Sequence, residues 1–146
     1  MDEEWEKQKL IPRTFWNVLG ENGFLCVDVP DVYGGYAAPI EYSLRIVQET
    51  AKAGFSALAV GMGGQSELVS PYIQHIGSEM QKQYWLPKMV SGEVVSAIAM
   101  TEADAGSDLQ SMRTQAVLDG DEYVINGAKT FISNLFWGRH NARCWQ

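Results

Sequence analysis

Glycine-rich nucleotide loops are missing from this sequence: neither GxxxxGK nor GxGxxG occurs anywhere, which excludes a Walker-type or Rossmann dinucleotide site. Basic residues are few. Eleven lysines and arginines stand against eighteen aspartates and glutamates, a net charge of −7, and such a chain repels phosphate backbones and anionic lipid surfaces, so no nucleic acid is expected as a partner. Cysteine is scarce, and Cys26 and Cys144 are isolated thiols without disulfide spacing, which fits a reducing compartment. No apolar run reaches the roughly 18 residues that a membrane span needs. The start Met1-Asp2-Glu3-Glu4 is acidic, unlike a targeting peptide. A metal site is not expected either, because His140 and Cys144, four apart, offer only two ligands.

What the chain does hold is a core. Its 146 residues are 46% hydrophobic, enough for one folded domain and too apolar for disorder. The organising stretch is Met100-Thr101-Glu102-Ala103-Asp104-Ala105-Gly106-Ser107-Asp108, a small polar loop where the pattern turns from helical to strand-like. Short hydroxyls at Thr101 and Ser107, with Ala and Gly between, let a ligand approach the backbone, whose N–H groups can cradle an anion or the polar edge of a ring. Composition alone also fits a plain surface turn.

Before the loop the period is helical. Phe15, Val18 and Leu19 share a face that stops at Asn22-Gly23, and Pro12 separates it from a short helix at Trp5. Ile40, Leu44, Val47 and Ala51 follow Pro39 as the stripe of an amphipathic helix. Phe55, Leu58, Ala59 and Met62 keep that period. Gly61, Gly63 and Gly64 would each weaken an exposed helix by about 1 kcal/mol, so a backbone or ligand is expected to press close there. Leu68, Val69, Tyr72, Ile73 and Ile76 form a stripe bent at Pro71, and Ser78-Glu79-Met80-Gln81 is a capping box opening a helix that ends near Gly92.

Past Gly92 the period becomes 2. Residues 94–100 read as an apolar strand and 112–118 as a looser one. Asp119-Gly120 is a hairpin signal into 123–125, and Asn126-Gly127 a second into 130–133. Helices first and strands afterwards give an α+β fold class.

Ala97-Ile98-Ala99-Met100-Thr101-Glu102, Ala105-Gly106-Ser107-Asp108-Leu109 and Asn126-Gly127-Ala128-Lys129-Thr130-Phe131-Ile132-Ser133-Asn134 together resemble the flavin-binding signature of the acyl-CoA dehydrogenases. Gly77-Ser78-Glu79, Leu86-Pro87-Lys88, Ser91-Gly92-Glu93 and Tyr33-Gly34-Gly35 are similar to supporting stretches of that family, and the nearest likeness is to its long-chain branch. The resemblance covers about residues 5–134. It implies an N-terminal helical domain over 1–92, the beginning of a flavin-binding middle β-domain over 93–134, and an unassigned, divergent tail over 135–146.

The resemblance further implies an FAD-dependent oxidoreductase that removes the α-proton and β-hydride of a fatty acyl-CoA thioester, with electron-transferring flavoprotein as acceptor. In the family the chain is longer and usually homotetrameric, in the mitochondrial matrix of eukaryotes or the cytoplasm of bacteria. The implied cofactor contacts are Ile98, Ala99, Met100, Thr101, Gly106, Ser107, Phe131, Ile132 and Ser133, with Ser107 also able to touch substrate. Thr101 faces the polar edge of the ring, Ser133 lies near its N5, and Phe131 takes an aromatic position against it. The family's catalytic Glu belongs to a C-terminal bundle, so this chain is expected to hold no catalytic base and to be inactive alone, as a truncated form. One departure is Asp104, whose charge falls where a pyrophosphate would approach. Two other readings remain: a non-catalytic helical interaction module, and an acyl-CoA oxidase-type flavoprotein.

Overall fold

The computed structural model describes residues 5, 7 and 10–135. Beyond Trp5 and Lys7, the expected first helix lies outside the described residues, as do Phe136, Trp137, His140, Cys144 and Trp145 of the tail. The α+β order is as the sequence implies, helices first and a small antiparallel sheet after. Among the described residues no helix is long and apolar enough to cross a membrane, and no three metal-ligating side chains cluster.

Helix α1 (Arg13–Glu21) buries Trp16 and Leu19. Its flank meets the end of a later helix backbone to backbone: a Cβ at Gly20 would collide with the Ser91 carbonyl, and one at Gly92 with the Trp16 carbonyl. Glycine at both points permits the close approach. Residues 22–39 then form a loop that buries Leu25, Cys26, Val27 and Val29.

Helix α2 (Ile40–Lys52) follows Pro39, but the expected stripe is not the buried one. Ile40 and Leu44 are 42% and 51% exposed and Ala51 is exposed, while Ser43 is buried and Ile46, Val47 and Thr50 are half-buried. The turned helix lets Ser43 Oγ donate to Glu67 Oε1 at 3.1 Å, and a polar group with a partner can be buried where an aliphatic one was expected.

Helix α3 (Ser56–Gly63) packs against α2 and runs directly into a π-helical turn, Gly64–Val69, and then α4 (Ser70–Ile76). The irregularity expected at Pro71 thus starts before it. The wider turn carries Gln65 and Ser66 inward, and Ser70 after it is also fully buried. Ser66 Oγ accepts from the Cys26 N–H at 2.9 Å. Helix α5 (Glu79–Val90) opens on the capping box: Gln81 N–H donates to Ser78 Oγ at 3.3 Å, and Ser78 N–H to Gln81 Oε1 at 2.8 Å. It continues through Pro87.

Two buried clusters form the core. One joins Trp16, Leu19, Leu25, Leu58, Met62 and Val95. The other joins Cys26, Val29, Val69, Ile73, Leu86, Met89 and Val90.

Beyond α5 the outcome differs from the pattern. Residues 94–100 form no strand, because a strand needs a ladder partner and this segment is held by side chains instead. β1 (Gln115–Asp119) pairs antiparallel with β2 (Glu122–Asn126), Asp119 opposite Glu122, so the turn centres on Gly120-Asp121. The second hairpin is absent: β2 runs to Asn126 and the chain passes on without reversing into a strand at 130–133. Gly127 serves close approach rather than a turn, since a Cβ there would collide with the Thr114 side chain.

Candidate functional site

The polar loop is folded by one carboxylate. Glu102 accepts from the Arg113 N–H at 2.7 Å, the Thr114 N–H at 3.0 Å and Lys129 Nζ at 2.8 Å. Lys129 Nζ also donates to Met100 O at 2.9 Å. Glu102 and Ala105 exchange backbone hydrogen bonds of 2.9 and 3.3 Å, closing the turn. The Lys129 ammonium, followed by the Thr114 and Arg113 donors, holds the Glu102 carboxyl down at about 2. A carboxylate so supplied with donors is a structural anion, not a proton acceptor at neutral pH.

Beside this node the chain crosses itself. Thr130 N–H donates to Thr101 O at 2.9 Å, which brings the segments around residues 101 and 131 side by side. Phe131 and Asn134 then adopt left-handed backbone, φ 54° and 64°, a region that non-glycine residues rarely occupy. The reversal turns Phe131 outward, 90% exposed, and Asn134 inward, its Nδ2 donating to Gly61 O at 3.1 Å and Ser96 O at 3.2 Å.

Between these segments and the α3–π face lies a cavity of about 200 Å³, lined by Val60, Gly64, Leu68, Ser96, Ala97, Ile98, Met100, Thr101, Phe131, Ser133 and Asn134. Thr101 and Ser133 therefore line one space, Thr101 from a segment outside any strand and Ser133 from a turn rather than from strands. A second, apolar cavity of about 550 Å³ adjoins it and shares Ala97, Ile98 and Met100. Ala99 lines the second only, with Tyr72, Ile73 and Met112. Ile132 lines neither cavity, and Gly106 and Ser107 stand exposed on the turn outside both. Asp104, the charge that departs from the family pattern, is paired with Arg113 Nη1 at 3.3 Å on the surface.

Residue patterning gave no role to Ser96, Gln65 or Asn134. Ser96 Oγ is buried without a hydrogen-bond partner among the described residues, and the signal that would have found it is a lone hydroxyl within the apolar run 94–100. Gln65 is the buried amide of the π turn, and its signal is a cluster of polar residues, Gln65, Ser66 and Ser70, inside an otherwise apolar stretch.

Two family models match the sequence, one described as acyl-CoA dehydrogenase, N-terminal domain, over residues 1–93 and one as acyl-CoA dehydrogenase, middle domain, over 97–137. The chain is similar to the mitochondrial long-chain specific acyl-CoA dehydrogenase of Sus scrofa, 40% identical over 131 residues that make up 90% of this chain and 30% of the relative. It is also similar to the crystal structure of an acyl-CoA dehydrogenase from Geobacillus kaustophilus, with TM-score 0.85 and 54% identity, covering 90% of this chain and 34% of that one. A glutaryl-CoA dehydrogenase from Mycobacterium smegmatis in complex with FADH2 superposes with TM-score 0.85 at 30% identity, covering 92% of this chain and 34% of that one. The chain thus spans about a third of the length of these proteins.

Proposed function

The chain belongs to the acyl-CoA dehydrogenase family, and from that membership we propose that it serves the FAD-dependent α,β-dehydrogenation of a fatty acyl-CoA thioester. The observation that carries the reading is the convergence of Thr101 and Ser133 on one cavity that Ser96 also lines, its hydroxyl without a partner among the described residues. Three hydroxyls and a run of backbone suit the hydrogen-bonding edge of an isoalloxazine, and the exposed Phe131 ring suits its face. When bound, FAD would supply the hydride acceptor. The chain's part is to place donors where charge develops, with Ile98, Met100, Thr101 and Ser133 as the near contacts. Ala99, Gly106, Ser107 and Ile132 join them only if the bound cofactor extends beyond this cavity. The adjoining apolar cavity suits an acyl chain.

No carboxylate lines the polar cavity among the described residues, and Glu102, with its charge held by Lys129, is a poor base. By the family resemblance, the group that removes the α-proton is supplied from outside the described residues. Electron-transferring flavoprotein as acceptor and homotetrameric assembly belong to the same reading. The test is to purify the chain, record its flavin absorbance and titrate it with FAD. Saturable binding supports the proposal; absence of binding, both here and in a chain extended to the length of its relatives, refutes it.

A further inference from the structure

We infer that Gln65 and Asn134 form a two-sided amide clamp on Ser96 and act as positioning residues for the cavity wall 97–101. Gln65 is fully buried in the π turn; its Nε2 donates to Met89 O at 2.8 Å and its Oε1 accepts the Ser96 N–H at 3.0 Å. From the other side, Asn134 Nδ2 donates to Ser96 O at 3.2 Å and to Gly61 O at 3.1 Å. Both backbone groups of one residue are thus held by side-chain amides that are 31 and 38 positions away in sequence. A side-chain amide carries its donor and its acceptor on separate atoms, and Gln65 uses both to tie α5 to the segment.

The placement matters because Ser96 opens the wall of the cavity and no ladder supports residues 97–100 after it. The segment is fixed at its near end by the clamp and at its far end by Thr130 N–H on Thr101 O. Gly61 and Ser96 also belong to different parts of the fold, so Asn134 joins the helical unit to the wall through a single nitrogen. The role as a positioning device rests on the flavin reading of the cavity; the clamp itself does not.

The test is residue-resolved amide hydrogen exchange on the whole chain, with Asn134→Asp and Gln65→Leu singly and together. Asn134→Asp keeps the shape but sets an acceptor against two carbonyl oxygens. The amides of Ser96, Glu102 and Thr130, each hydrogen-bonded here, are expected to lose about tenfold or more of their protection, while the α5 amides keep theirs. The double variant is expected to lose less than the product of the single losses, as parts of one unit do. An equal fall in the segment and in α5, or independent effects of the two substitutions, would overturn the clamp. Should Gln65→Leu fail to fold, the local-against-global comparison in Asn134→Asp decides alone. FAD titration of the same proteins separates the two claims. A local loss of protection without FAD binding in any form keeps the clamp and removes its cofactor role. Unmoved exchange removes the clamp whatever FAD does.

Discussion

Glu102 shows how far one side chain can organise a loop, and its ionisation makes that measurable. Its pKa is about 2 in the folded chain against an ordinary 4.5. A depressed carboxyl contributes stability that is fully present above the unfolded value and disappears as pH falls through the folded one. The denaturant midpoint of the native chain is therefore expected to drop between about pH 4.5 and 2 more steeply than that of Glu102→Gln, which should also be less stable at neutral pH. Parallel curves would remove the node. Cys26 gives a second residue-scale prediction. Burial pushes its thiol up to about 12 and leaves it fully enclosed, so at pH 8 the peptide carrying Cys26 should stay unalkylated by iodoacetamide until the chain unfolds, as mass spectrometry would read. At this scale the order of the motifs placed Thr101 and Ser133 at one site, and both line one cavity. The Asp104–Arg113 pair was not legible in the sequence, since it joins residues nine apart across a turn whose shape Glu102 sets.

Among the elements, those defined within a few residues were the ones that could be read. The capping box of α5 needs only Ser78 and Gln81, and Ser78→Ala should cost about 1 kcal/mol in urea unfolding; no change in the midpoint would deny the cap its part. Residues 94–100 read as a strand because they are apolar, yet pairing is a non-local property and no ladder forms. The Asn126-Gly127 dipeptide misled for a related reason: its glycine answers to Thr114 across the hairpin. On α2 the pattern chose Ile40 and Leu44, whereas the burial of Ser43 depends on Glu67 of the π turn. The glycines of α3 were expected to meet a backbone or a ligand, but the near neighbours of Gly61 are two side chains. A Cβ there would sit 3.0 Å from Asn134 Oδ1 and 3.2 Å from the Trp16 ring. Gly61→Ala should accordingly lose stability by about 1 kcal/mol, because overpacking outweighs the helix-propensity gain. A more stable variant in chemical denaturation would show that the neighbours yield.

For the molecule as a whole, the sequence order of helical and strand-like periods was enough to give the α+β class, while the relation between the two cores depends on buried polar contacts that no periodicity encodes. The wall of the polar cavity threads from one core to the other, Val95 in the Trp16 cluster and Ile98 against the Leu86 cluster. Its geometry is thus tied to the packing of both. The chain spans about a third of its relatives' length, so binding, more than turnover, is where its own residues can be questioned. The most direct measurement is FAD affinity, by quenching of flavin fluorescence, for the native chain and for Thr101→Val combined with Ser133→Ala. Saturable binding that weakens by about tenfold or more in the double variant, with its far-UV circular dichroism unchanged, is the predicted result. Equal affinity in the two proteins would contradict the assignment of this cavity to the flavin.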